Sequence, residues 1–197
     1  GYTPIHIAIV GIDKIVPTIH EALLISELTW RYAKFRAPSY ISIITGPSKT
    51  GDIEQVEVRG VHGPRELHVI LLDNGRSAMA GHEVFREALL CIKCGSCLME
   101  CPVFQLVAGN FGSTYFGGIG AIWTAFTEGM ERASPIAYTC LLCGRCKVQC
   151  PLEIDIPKMV EELRKELFTK GLVPKYVRDF VNNALKHGTP YIVERWK

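Results

Sequence analysis

The distribution of apolar and polar positions changes character near residue 80. Residues 5–10 are apolar and β-branched, as in a buried strand. A helix is expected next, opened by Asp13 or by Pro17 and Thr18, because Ile15, Ile19, Leu23 and Trp30 recur near helical spacing. Residues 40–44 predict a second strand, 45–51 a loop rich in Gly, Pro, Ser and Thr, 55–58 a further short strand, and 67–72 another. The last is closed by the turn Asp73-Asn74-Gly75. This order predicts an α/β layer. Its strands are few for a self-sufficient sheet, so the remaining ones are expected before residue 1 or on a partner.

Beyond residue 80 the pattern is helical. Residues 121–128 read as a helix, and Met159, Val160, Leu163 and Leu167 line one face of another that starts near Pro157 and stops at Gly171. A last helix is expected from Pro174 to Gly188, with Tyr176, Val177, Phe180, Val181, Ala184 and Leu185 as its stripe. Both stripes are expected to pack into a core. Gly117-Gly-Ile-Gly120 superficially suggests a nucleotide loop, but no strand precedes it, so the dinucleotide reading is rejected.

Charge narrows the function classes. With 22 basic against 20 acidic residues in 197, the chain lacks the basic excess of a nucleic-acid binder. No apolar run approaches the roughly 18 residues of a membrane span, so the chain is expected to be soluble and not membrane-spanning. All 8 cysteines fall in two compact clusters, which favours a reducing, cytoplasmic setting over a scattered disulfide framework. Residue 1 is Gly, and the expectation is a fragment, a processed form or one piece of a longer polypeptide.

The clusters carry the chemistry. Cys91-Ile-Lys-Cys94-Gly-Ser-Cys97-Leu-Met-Glu-Cys101-Pro102 and Cys140-Leu-Leu-Cys143-Gly-Arg-Cys146-Lys-Val-Gln-Cys150-Pro151 both have the C-x₂-C-x₂-C-x₃-C-P spacing of bacterial two-cluster ferredoxins. Three closely spaced thiolates on a tight loop can cap three corners of one iron–sulfur cube, while the fourth has begun a new turn and reaches the other cube. Two [4Fe–4S] clusters are therefore expected. Cluster 1 would sit on Cys91, Cys94, Cys97 and Cys150, and cluster 2 on Cys140, Cys143, Cys146 and Cys101. Zinc is the competing reading, since paired C-x₂-C also builds tetrahedral sites, but it does not call for a triple run with a trailing C-P.

Gly95 and Gly144 are expected to let the backbone approach a cluster, and Ile92, Leu98, Leu141, Leu142 and Val148 to exclude water. Lys93, Arg145 and Lys147 are placed to offset cluster charge, or simply to form a solvated face. Such features set a potential within roughly −700 to +450 mV. The long insert 103–139 favours an α-helical ferredoxin over the small β-hairpin type. In the first half, the loop 45–52 and His62-Gly63-Pro64-Arg65 are polar and could hold an anion or carboxylate, though each is more often a plain turn. No general base or nucleophile stands out. Lys49, Asp52 and His62 are the substrate-side candidates.

Together, the run from His6 to Pro17, residues 45–54, Gly60-Val-His-Gly-Pro64 and Leu71-Leu-Asp-Asn-Gly-Arg76 resemble the LUD domain of lactate-utilisation proteins. The order continues into two ferredoxin motifs, as in the iron–sulfur subunit of the bacterial lactate-utilisation complex. The resemblance covers the chain to about residue 170. It implies a partial LUD, NagB/RpiA-like α/β fold over 1–78 and an α-helical two-cluster ferredoxin over 79–170; the helical stripe beyond it leaves 171–197 as a helical extension or linker. The resemblance further implies electron transfer during oxidation of L-lactate to pyruvate, without independent turnover by this chain.

The family's LUD domain has a long N-terminal half that this sequence does not contain. The stretch from Ala184 to Tyr191 is similar to the segment leading into the cysteine-rich domain of heterodisulfide-reductase-type proteins. The implied partners are other redox subunits, a cysteine-rich-domain protein and the rest of a LUD domain. The alternatives are a relay subunit of a heterodisulfide-reductase-like or other dehydrogenase complex, and a protein whose clusters are purely structural.

Overall fold

The computed structural model describes residues 3–32, 40–52 and 54–191. The chain divides into two units, one reaching to Asp73 and the other starting at Asn74.

In the first unit, β1 (Ile5–Gly11) leads through a short 3₁₀ turn to α1 (Ile19–Tyr32), then come β2 (Lys49–Thr50), β3 (Val58–Arg59) and β4 (Glu66–Leu72). β1 and β4 pair in parallel, from Ile5 opposite Glu66 to Gly11 opposite Leu72, and β2 pairs with β3 antiparallel. Helix α1 begins with a capping box. The Thr18 hydroxyl and N–H both donate to Glu21 Oε2, at 2.8 and 3.0 Å, while Glu21 N–H donates back to the Thr18 oxygen. Of the apolar residues expected on this helix, Trp30 has a side chain outside the described residues.

Two strand expectations are corrected. Residues 40–44 form no strand; Tyr40, Ile41, Ile43 and Ile44 are exposed, and no described strand runs beside them to accept a ladder. Of residues 55–58 only Val58 enters a strand, because Glu54 and Gln55 take left-handed backbone at φ 53° and 55°, which breaks an extended run. The β1–β4 pair is also unusual in what it buries. Ile5, Ile7 and Ile9 are the exposed side of β1, while His6 and Ala8 face the half-buried side.

The second unit is helical: α2 (Arg76–Gly81), a 3₁₀ turn at Phe85–Leu90, α3 (Ser96–Met99), α4 (Pro102–Val107), α5 (Gly117–Thr127), α6 (Met130–Thr139), α7 (Arg145–Val148), α8 (Ile156–Thr169) and α9 (Lys175–His187). Its core gathers Met79, Phe85, Phe111, Ile122, Trp123 and the inner face of α8. Met159, Val160, Leu163 and Leu167 are all fully buried, as their spacing predicts. Helix α9 departs from expectation. It has no buried residue, and Tyr176, Phe180, Val181 and Leu185 are exposed, because no described element covers that stripe. Gly188 ends it in left-handed backbone at φ 70°. No helix among the described residues is long and apolar enough to cross a membrane.

Asp155 starts α8. Its Oδ1 accepts from Lys158 N–H at 3.2 Å, its Oδ2 pairs with Lys147 Nζ at 2.5 Å, and its own N–H donates to Glu87 Oε1 at 3.0 Å. The Lys147 hydrogen bond holds the Asp155 carboxyl below its usual value of 3.8. A depressed carboxyl stabilises the fold above the unfolded-state value and ceases to do so as pH falls through the folded one. Asp155→Ala should therefore cost about 1 kcal/mol in urea denaturation at pH 7. The difference from wild type should shrink as pH drops below 3.8.

Candidate iron–sulfur site

Each cysteine motif folds into the same loop. Lys93 and Leu142, the residues just before the second cysteine, are left-handed at φ 58° and 54°. Gly95 and Gly144, just after it, both have φ 80°. That left-handed backbone by itself calls for glycine at both positions. The twist turns an N–H inward. Lys93 N–H donates to Cys91 Sγ at 3.4 Å, and Leu142 N–H is bonded to Cys140 in the same way. One short helix, α3 or α7, then carries the third cysteine of its motif.

The cysteines surround two cavities. Cys91, Cys94, Cys97 and Cys150 line the first, together with Lys93, Tyr115 and Trp123. Cys101, Cys140, Cys143 and Cys146 line the second with Leu142, and Cys97 borders it as well. The first holds about 160 Å³ of open space and the second, tighter one about 20 Å³. Cys94 and Cys143 are exposed and the other thiols half-buried.

Burial sets the thiol chemistry. It pushes Cys97 up to about 11, helped by the neighbouring Cys91, Cys94 and Cys150. Cys146 is pushed up to about 12 by burial and then by Cys140, Cys97 and Cys143, and Cys140 is raised by burial too. Cys94 runs the other way, lowered by hydrogen bonding to Ser96, whose hydroxyl lies 3.5 Å from its sulfur. Cys97, Cys140 and Cys146 thus hold their protons more tightly than a free thiol, and an incoming metal group must displace them.

The donor set fits an anionic, sulfur-rich group. Thiols converge on each cavity, N–H groups point at sulfur, and Trp123, which lines the first cavity, has a buried Nε1 without an acceptor in the protein. No three His, Cys, Asp or Glu side chains among the described residues converge closely enough for a single metal ion. A cube presents four separated corners and suits the wider spacing.

The flanking residues sort differently from expectation. Leu98 and Leu142 line the cavities from half-buried positions; Ile92 and Leu141 border them too but are 61% and 66% exposed, and Val148, 83% exposed, lines neither. They sit between ligand positions on the loop crests, where the cysteines take the inner side. Lys147 is engaged with Asp155, so its charge is already matched, whereas Lys93 lines the first cavity.

Two contributors escaped sequence reasoning. Trp123 comes from the insert, and Arg164 from α8, where it clamps the second loop. The Arg164 guanidinium donates to the Ala137 carbonyl from Nε and Nη2 at 3.0 and 2.8 Å and also to the Cys140 carbonyl. Only the fold brings it there, 24 residues away in sequence.

In the first unit, Ser48 ties the two polar loops together. Its N–H donates to Pro64 O at 2.7 Å, its carbonyl accepts from Gly60 N–H at 2.8 Å, and its hydroxyl oxygen accepts from His62 N–H at 3.0 Å. Lys49, Asp52 and His62 all have exposed side chains on this knot.

Residues 2–72 match the LUD domain family and residues 87–154 the 4Fe-4S dicluster domain. The chain joins a LUD domain to a 4Fe–4S dicluster domain. Lactate utilization protein B of Shouchella clausii (strain KSM-K16) is 38% identical over 162 residues, 81% of this chain and 32% of that protein. Lactate utilization protein B of Geobacillus kaustophilus (strain HTA426) is 35% identical over 185 residues, 93% of this chain and 37% of its own. The uncharacterized electron transport protein YkgF of Escherichia coli (strain K12) is 34% identical over 172 residues, 86% of this chain and 34% of its own. The chain thus spans about a third of the length of these curated relatives. The dicluster domain's eight cysteines, all free thiols, fit two [4Fe–4S] clusters.

Removing the Arg164 clamp tests how the dicluster domain holds its second loop. Arg164→Ala leaves the Ala137 and Cys140 carbonyls without their donor and should cost about 1–3 kcal/mol in denaturant titration. It should also speed iron loss to a chelator, while Arg164→Lys, which keeps a donor, recovers part of both.

Proposed function

We propose that this chain is an electron-transfer module carrying two [4Fe–4S] clusters within a redox assembly that oxidises L-lactate to pyruvate. The observation that carries this reading is the sorting of the cysteines. Cys150 from the second motif lines the first cavity, and Cys101 from the first motif lines the second. This supports cluster 1 on Cys91, Cys94, Cys97 and Cys150, and cluster 2 on Cys140, Cys143, Cys146 and Cys101. Such crossing would hold the two clusters close, as electron hopping requires. When bound, each cluster supplies a one-electron couple; the chain's own residues hold the thiolates, direct N–H groups at sulfur and limit water.

The lactate part is supported by the names of the relatives, lactate utilization protein B. A hydroxyacid gives up two electrons, which suits a pair of one-electron carriers. The LUD segment, which we assign to a NagB/RpiA-like fold, would serve the substrate side through the knot bearing Lys49, Asp52 and His62. The exposed isoleucines of β1 support a surrounding surface there, supplied by the rest of a LUD domain or another subunit.

An anaerobic EPR titration of the chain with its co-purifying subunits tests this. L-lactate alone should reduce the clusters, and alanine at Lys49, Asp52 or His62 should slow that reduction about tenfold, on the order of 1.4 kcal/mol. Reduction by dithionite but not by lactate would place the module in another dehydrogenase assembly. Cys150→Ser should erase the cluster 1 signal and Cys101→Ser the cluster 2 signal. The reverse pattern would undo the crossed assignment.

A further inference from the structure

The two cysteine loops match in backbone but not in charge. Lys93 and Leu142 occupy the same place in each, one residue before the second cysteine and left-handed. Lys93 lays its ammonium over two rings on the wall of the first cavity, 4.5 Å from the centre of Tyr115 and 4.6 Å from that of Trp123. Trp123 is 2% exposed, and its Nε1 is buried with no hydrogen-bond acceptor in the protein. A buried indole N–H ordinarily finds an acceptor. Arg76 adds a second cation over the same ring, at 5.2 Å.

The second cavity has nothing comparable, since no charged side chain lines it. Of the cations on or behind its loop, Arg145 is exposed and does not line the cavity, and two others are engaged elsewhere. Arg164 is spread over the carbonyls of Ala137 and Cys140 and the Tyr138 ring, and Lys147 is matched by Asp155.

Adding an electron to a thiolate-ligated cube adds negative charge. A cation and an N–H donor beside it favour the reduced form, and because Lys93 is exposed, water screens part of its effect. We propose that Lys93 and Trp123 form a cap that stabilises the reduced cluster of the first cavity, making it the higher-potential member of the pair and the place where a first electron rests. This rests on the two-cluster reading. The step itself is a single electron from a low-potential donor, dithionite in the test below, with no bond made or broken. Lys93 contributes as a cation and transfers no proton.

The test is an EPR-monitored potentiometric titration of the full chain with clusters reconstituted anaerobically, beside iron and sulfide analysis. Wild type should show two separated one-electron waves, the upper one lost in Cys150→Ser. Lys93→Leu should move the upper wave downward by about tenfold in the reduced-to-oxidised ratio at fixed potential, which is about 59 mV for a one-electron couple. Trp123→Phe, which keeps an aromatic ring in the core but removes the N–H along with part of the indole, should move it the same way, and an unchanged urea midpoint would separate that shift from loosened packing. Leu142→Lys should raise the lower wave.

About eight irons per chain with both waves unmoved in Lys93→Leu and Trp123→Phe would overturn the cap and leave the two-cluster reading intact. So would a shift of the lower wave alone. Iron enough for one cluster or none, in wild type, would overturn the two-cluster reading and the cap together.

Discussion

Helix α5 has to be buried along most of its length for either cysteine cavity to exist. Eight of its residues, Gly117, Ile119, Gly120, Ala121, Ile122, Trp123, Thr124 and Ala125, are buried. The helix gets close enough to its neighbours only because its first turn is built of glycine. A Cβ on Gly118 would come within 2.8 Å of Ile156 Cγ2 and 3.7 Å of Cys140 Sγ, and one on Gly120 within 2.5 Å of the Tyr115 carbonyl. A backbone carbonyl cannot step aside as a flexible side chain can. The run that superficially resembles a nucleotide loop is therefore a packing device, with Leu98 against Gly117 and Cys140 beside Gly118. Trp123 sits one turn along the same helix, so the approach that closes the core also delivers an indole to the wall of the first cavity.

Much of the second unit was legible because local rules govern it. The cysteine spacing forces a tight loop, and the stripe Met159, Val160, Leu163 and Leu167 has helical spacing and is buried. What was not legible depends on approach between distant segments. Arg164 reads as one more charge on an amphipathic helix until α6 is seen to end beneath it. Lys93 and Lys147 look equivalent in sequence, yet one lines a cavity and the other is matched by Asp155. Helix α9 shows the limit of periodicity. Spacing says which side of a helix is apolar, and it cannot say whether anything lies against that side.

The same limit, met in a sheet, decides how the first unit should be understood. A parallel pair of strands ordinarily lies inside a protein with both faces covered, and two strands alone make a marginal sheet. Here the β-branched residues that make β1 readable as a strand, Ile5, Ile7 and Ile9, are the ones left in water, with Val69, Ile70 and Leu71 on β4 beside them. Burying a side chain of that kind is worth about 1.5–3 kcal/mol. The unit therefore forgoes a large part of the energy its sequence could supply, and a further surface over the sheet, from more of a LUD domain or from a partner, would recover it. The helical unit closes its own core around the cysteines, while the strand unit depends on what covers it.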